Sequence, residues 1–126
     1  MKSKEITICG KKVIMAYCYA TEITFHSYTA KDFTAFINES FMQKNVSPKN
    51  VMYAILSAII AYYEANGEDL PIVDHDLMYN ATPEELKSAF FTLTELYKQW
   101  YQLPAGEQEK EVADDTKKKK GRKKNS

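Results

Sequence analysis

Hydrophobic and polar residues alternate at the start of the chain. Ile6 and Ile8 alternate with polar neighbours, and the alternation resumes at Val13 after Gly10 and Lys11. A period of two is typical of half-buried strands, and glycine at the first central position suits a tight turn. The pattern therefore predicts a β-hairpin with Gly10 and Lys11 at its tip. Because an isolated hairpin is marginal in water, this one must pack on another part of the chain.

The segment after the predicted hairpin fits two kinds of secondary structure. From Tyr17 to Phe25 every second residue is aromatic or β-branched, which favours a third strand. Ala16, Ala20 and Ile23 also have the spacing of one helix face. Local propensity slightly favours the strand, and the pattern alone leaves both alternatives open.

The rest of the pattern has the period of helices. Phe33, Phe36 and Phe41 recur at helical spacing, and Asp32 is available as the N-cap of that helix. A short helix is also predicted over 74–79, with its first residue, an aspartate, as the cap.

Two longer helices have clear boundary signals. Ser47 and Pro48 have the order of an N-cap and a first helical position, and Asn66–Gly67 ends that helix. Its apolar residues form two stripes, so we expect it to be buried on most sides at the centre of the core. Thr82 and Glu85 have the spacing of a capping box before a long apolar stripe that ends near residue 102.

Composition divides the chain after residue 103. The 126 residues are 44% hydrophobic and 13% aromatic, with zero formal net charge, which suits one globular domain and excludes a uniformly basic binder. Residues 1–103 hold every aromatic side chain and a charge of −3, whereas residues 104–126 carry +3. The second segment has too little apolar surface to offset the entropy of ordering it.

We therefore predict an α+β, mostly α, fold class. An N-terminal β-hairpin packs on a bundle of about four or five helices within residues 1–103. Residues 104–126 form a disordered tail that is acidic first and basic afterwards.

Residue types that carry catalysis or bind metals are sparse. The one ligand-like cluster is Asp74–Asp76, but adjacent side chains point apart, so a helix cap with solvated side chains is the preferred interpretation. His26 has no orienting partner in the sequence, and Cys9 and Cys18 resemble small buried hydrophobic residues rather than nucleophiles. Phosphate-loop and nucleophile motifs are also lacking. We predict a protein that is not an enzyme and needs no cofactor or metal.

The pattern also predicts where the protein is found. The N-terminus has no apolar leader segment, and the most hydrophobic run, Val51–Tyr63, is shorter than the ~20 residues needed to cross a bilayer. We expect a cytoplasmic protein with reduced thiols and no membrane partner.

Aromatic residues on the last helix do not all fit on one narrow face, so a partner chain could cover some of them. A large aromatic core is the equal alternative. The candidate partner-binding residues are Phe91, Tyr97, Trp100 and Tyr101.

The basic end of the tail could contact phosphates of a nucleic acid. The run lacks aromatic residues for base stacking, so sequence-specific recognition is not expected. The alternative is a solubilising tail. The candidate phosphate contacts are Lys117, Lys118, Lys119, Lys120, Arg122, Lys123 and Lys124.

The order of these elements resembles a known family. The hairpin over Glu5–Ile14, the segment Tyr17–Phe25, the helical remainder and the Lys-rich end are similar to the tail assembly chaperones of long-tailed phages and prophages, particularly those of Bacteroides-like genomes. The resemblance covers residues 4–103 and is an overall pattern without a catalytic motif. It implies that Ala16–Ser27 is a helix, against its local propensity.

The resemblance also implies a function in the cytoplasm of a bacterial host. Members of the family are non-enzymatic proteins that oligomerise, coat the hydrophobic tape measure protein and keep it soluble while tail protein polymerises, which makes the tail tube protein a second candidate partner. The aromatic residues named above suit this task, with Phe36 and Phe41 as further candidates. The alternative function is a small nucleic-acid-binding accessory protein that acts through the basic tail.

Genes of this family often use programmed ribosomal frameshifting near the end of the short product. Lys117–Lys120 would fit an A-rich slippery stretch, so the resemblance suggests a frameshift at this position. Mixed codons there, without an overlapping downstream frame, would contradict it.

Overall fold

The computed structural model describes residues 1–42 and 46–103. In this part of the chain a two-stranded antiparallel hairpin precedes five helices, which confirms the predicted α+β, mostly α, class. The predicted tail, residues 104–126, lies outside the described residues. The elements are β1 (Lys2–Ile8), β2 (Lys11–Tyr17), α1 (Tyr19–Thr29), α2 (Phe33–Met42), α3 (Pro48–Ala65), α4 (Asp74–Asn80) and α5 (Pro83–Tyr101).

The tip of the hairpin lies one residue earlier than predicted. Ile8 pairs with Lys11, so the central turn residues are Cys9 and Gly10, with φ angles of 53° and 73°. Two positive φ values belong to a type I′ turn, whose twist matches that of the flanking strands. The prediction of Gly10 and Lys11 was wrong because glycine occupies the second central position here, as a type I′ turn favours, and Glu85 accepts the N–H groups of both Cys9 and Gly10.

The carboxylate of Glu85 bridges this turn to the start of α5. Its Oε1 accepts the backbone N–H of Cys9 at 3.0 Å, and its Oε2 accepts that of Gly10 at 3.2 Å. Oε1 also accepts the N–H of Thr82 at 3.1 Å, and the Thr82 hydroxyl accepts the Glu85 N–H in return. The predicted capping box is confirmed, and the same glutamate satisfies two donors of a turn that a non-glycine residue adopts only rarely.

These bonds make the stability of the hairpin tip depend on pH. The backbone N–H groups of Thr82, Gly10 and Cys9 lower the pKa of Glu85 from its ordinary value of 4.5. Because the pKa is lower in the folded protein, the carboxylate contributes its full stabilisation at pH values above the ordinary pKa. This contribution is lost as the pH falls through the lowered pKa. We expect Glu85→Gln to lower the melting temperature at pH 7, and the difference from the wild type to shrink below pH 4.5.

Thermal unfolding followed by circular dichroism across this pH range measures the effect. Glu84→Gln is the matched control, because it removes one charge from the same helical turn without removing a contact to the hairpin. Equal pH profiles for the two variants would contradict the role given to Glu85.

The centre of the core is α3, as its two apolar stripes predicted. Every residue from Ala54 to Ala61 is buried. The one polar side chain among them, Ser57, donates its hydroxyl to the carbonyl of Tyr53 at 2.7 Å, so its burial leaves no donor unpaired. The helix packs against β2, α1 and α5 and thereby joins the hairpin to the bundle.

The ambiguous segment divides into the end of a strand and a helix. β2 continues to Tyr17 and α1 begins at Tyr19, so the helix that the resemblance implied is confirmed from Tyr19 onward, and the strand that propensity favoured is wrong there. Thr21 and Phe25, four residues apart, face the core, whereas Ile23 is 69% exposed. A strand would have buried alternate residues instead.

The hydroxyl of Thr21 satisfies the backbone at this junction. It donates to the carbonyl of Ala16 at 2.8 Å and accepts the N–H of Cys18 at 3.3 Å. Thr21 itself is fully buried. One side chain therefore supplies the partners that the last strand residue and the first helical turn would otherwise lack.

Two of the predicted caps differ from the structure. The N-cap of α4 is Val73, and Asp74 is the first helical residue; the carboxylate of Asp76 accepts the Val73 N–H at 3.0 Å. Asp74 is therefore not the N-cap, and Asp76 makes the bond that the third helical residue of a capping box makes to the N-cap backbone. Ser47 is the N-cap of α3 as predicted, but its side chain makes no capping hydrogen bond.

Candidate functional site

The four aromatic residues predicted as partner contacts on α5 lie in different environments. Phe91 is 66% exposed, Tyr101 is 37% exposed and Trp100 is half-buried. Tyr97 is only 6% exposed, and its ring lies 5.5 Å from that of Tyr17 in the core. Tyr97 is therefore part of the aromatic core and is not a surface contact, whereas the other three remain accessible.

Among the side chains that the structure describes, the other residues predicted to contact a partner or a phosphate add no exposed aromatic residue. Phe36 is 1% exposed, so it also belongs to the core. The side chain of Phe41 and the basic residues of Lys117–Lys124 lie outside the part of the chain that the structure describes. His26 is exposed in the last turn of α1.

One accessible cluster surrounds the carboxylate of Glu22 in the first turn of α1. Tyr19 and Ile23 are 62% and 69% exposed on the same helix, and Trp100 and Tyr101 reach this point from the end of α5. The ring centroids of Tyr19 and Trp100 are 5.4 Å apart with their planes nearly perpendicular. We call these five residues the Glu22 surface.

Two tyrosine hydroxyls donate to one oxygen of Glu22. Tyr17 donates to Oε2 at 2.7 Å, and Tyr101 donates to the same atom. Burial and these bonds to the carboxylate raise the pKa of both phenols, so both stay protonated donors at physiological pH. Within residues 1–42 and 46–103, Glu22 forms no ion pair and its Oε1 has no hydrogen-bond partner.

A second accessible feature is an apolar groove between the starts of α3 and α5 and the length of α4. Its volume is about 480 Å³. Met78 and Tyr79 are 55% and 72% exposed beside it, whereas Leu77 on the same helix is buried. We call it the α4 groove. Its lining residues are Pro48, Lys49, Met52, Leu77, Met78, Tyr79 and Leu86.

Phe91 belongs to a third and smaller groove, between β1 and α5. The groove has a volume of about 210 Å³ and includes the charged side chains of Lys4 and Glu95. None of the residues that line it belongs to the Glu22 surface.

The side chains that could take part in catalysis, Cys9 and His75, make structural contacts instead. The Cys9 thiol donates to the carbonyl of Asp76 at 3.4 Å, and burial, followed by the charges of Glu85 and Asp76, raises its pKa. A raised pKa disfavours the thiolate that nucleophilic attack needs. The ring centroids of His75 and Tyr79 are 4.6 Å apart, with the two planes tilted by 34°.

In the described ranges, no three or more histidine, cysteine, aspartate or glutamate side chains are grouped to hold a metal ion. None of the helices in those ranges has both the length and the hydropathy needed to cross a bilayer. No protein-family model, curated protein or solved structure matches the chain.

Proposed function

We propose that this protein is a non-enzymatic tail assembly chaperone of a long-tailed phage or prophage, which self-associates and masks hydrophobic segments of the tape measure protein during tail assembly. Two things support the proposal: the resemblance of the hairpin-plus-helices pattern, and the α4 groove with exposed apolar side chains at its rim. Exposed apolar patches of this kind mark surfaces that bind another chain.

The chemistry of the α4 groove suits an amphipathic client helix. Grooves lined by apolar residues bind the apolar face of such a helix through residues at i, i+3 or i+4, and i+7. Met52 and Met78 both line the groove, and methionine adapts its shape to different partner side chains because it is unbranched and polarizable. A groove of this kind can accept many different segments of one long client.

Co-expression with the tape measure protein tests the proposal. The wild type is expected to keep the client soluble and to elute with it. Met78→Glu places a charge in the groove, where an apolar client cannot pair it, and should reduce the recovered complex by about tenfold, or ~1.4 kcal/mol. Because Met78 is 55% exposed, the variant should fold normally.

Leu70→Glu is the matched control, since Leu70 is 37% exposed in a loop outside the groove. It should bind the client as the wild type does. A client that stays insoluble with the wild type would contradict the function. Equal recovery of the complex with Met78→Glu and Leu70→Glu would contradict client binding in the α4 groove but not the proposed function. Sedimentation of the full chain over a range of concentrations measures its self-association.

The alternative function, nucleic-acid binding through the tail, depends on Lys117–Lys124, which lie outside the described residues. Salt-sensitive binding to DNA or RNA that disappears when these residues are neutralised would favour it.

A further inference from the structure

We propose, independently of the function above, that the basic segment Lys117–Lys124 of this chain docks on its own Glu22 surface, with Arg122 at the carboxylate. The chemistry of the surface points to a cationic side chain as its ligand. Faces of tyrosine and tryptophan rings attract ammonium and guanidinium groups. Here two such rings, Tyr19 and Trp100, lie next to a carboxylate that has one oxygen without a partner among the described residues.

The described part of the chain does not neutralise Glu22 itself. Lys98, on the same helix as Trp100, forms an ion pair with Glu95 at 3.5 Å. Tyr17 and Tyr101 donate hydrogen bonds to this carboxylate but carry no positive charge. Residues 1–103 have a net charge of −3, which favours the approach of a basic segment.

The tail starts next to this surface. Tyr101 is the last residue of α5, and its hydroxyl reaches Glu22. Arg122 follows Leu103 by 19 residues. A flexible chain of that length has a root-mean-square span of about 25 Å, and its contour length is about 65 Å. Arg122 can therefore return to the Glu22 surface, at an effective concentration in the mM range because the two are linked.

The sequence of the tail is complementary to this surface. Residues 117–124 contain seven basic side chains and no acid. The acidic stretch 107–115 precedes them and serves as the spacer. Arg122 is the best-suited residue because a guanidinium group stacks on aromatic rings and pairs with a carboxylate in a fixed planar geometry, which an ammonium group does not. Docking would cover Tyr19 and Ile23, which the domain leaves exposed.

Trp100, the only tryptophan of the chain, reports on this docking directly. The experiment compares acrylamide quenching of its fluorescence in the wild type and in a full-length variant in which the seven basic residues of 117–124 are changed to glutamine. We expect greater quenching and a red-shifted emission in the variant. The wild type should show the same change in 1 M salt, where the Debye length is about 3 Å.

Variants of the surface identify the docking site. Glu22→Gln keeps an acceptor for both tyrosines but removes the charge, and should lose the protection of Trp100. Glu68→Gln is the control, because Glu68 is an exposed carboxylate in the loop after α3, and this variant should keep the protection of Trp100. Arg122→Gln should lose more protection than Lys120→Gln. Since the tail variants change no residue of the described domain, loss of folding cannot explain their result.

Three outcomes would overturn the proposal. The first is equal quenching of the wild type and the neutralised variant at low salt. The second is protection in Glu22→Gln equal to that in Glu68→Gln. The third is protection that rises with protein concentration, which would assign the docked tail to a second copy of the chain.

Discussion

Replacing Phe33 with alanine is expected to lower the free energy of unfolding by about 3–5 kcal/mol. The side chain is 1% exposed, and its ring lies within 5.2 Å of those of Tyr17 and Phe25 and at 6.0 Å from those of Phe36 and Tyr97. The substitution removes the aromatic residue at which β2, α1, α2 and α5 meet. Because small domains have total stabilities of about 5–15 kcal/mol, the variant should lose a large fraction of the stability of the protein.

Chemical denaturation followed by circular dichroism measures this loss. Phe91→Ala is the control, since it makes the same change at a side chain that is 66% exposed, and its effect should stay within about 0.5 kcal/mol. A loss of less than ~1 kcal/mol for Phe33→Ala would show that the cluster can collapse around the cavity, and that Phe33 is not its centre.

The second large effect is expected at Thr21, where the strand ends and α1 begins. Thr21→Val keeps the shape of the side chain but removes the hydroxyl that bonds the carbonyl of Ala16 and the N–H of Cys18. Each buried backbone group left without a partner costs about 1–3 kcal/mol. We therefore expect one of the largest losses of stability among substitutions of similar volume in this protein, measured by the same denaturation.

Thr21→Ser separates the two contributions of this side chain. Serine keeps the hydroxyl and loses only a buried methyl group, so it should cost about 1 kcal/mol. If the valine variant proves as stable as the serine variant, the hydroxyl does not hold the junction.

Much of the fold was predictable because its boundaries are local. The end of α3 at Asn66 and Gly67, and the capping box of α5 at Thr82 and Glu85, depend on residues within a few positions of one another. α1 was not predictable from the pattern, because its helical state depends on the bonds of Thr21 and on the packing of Phe25 against α2. Local propensity includes neither these hydrogen bonds nor this packing.

The candidate surfaces were less accessible to sequence reasoning. The surplus of aromatic residues on α5 was visible, but the spacing did not show that Tyr97 is in the core while Trp100 stays accessible. The Glu22 surface forms because the start of α1 meets the end of α5, 79 residues apart. The α4 groove needs three helices, and the sequence pattern did not identify the residues that line it.

The bond between Glu85 and the hairpin tip has a consequence for the order of events during synthesis. The turn at Cys9 is made before its acceptor, which follows 76 residues later in the chain. At about 5–20 residues per second, the ribosome adds that length in about 4–15 s. For this time after their synthesis, β1 and the turn therefore lack the contacts that α5 makes with them in the folded structure.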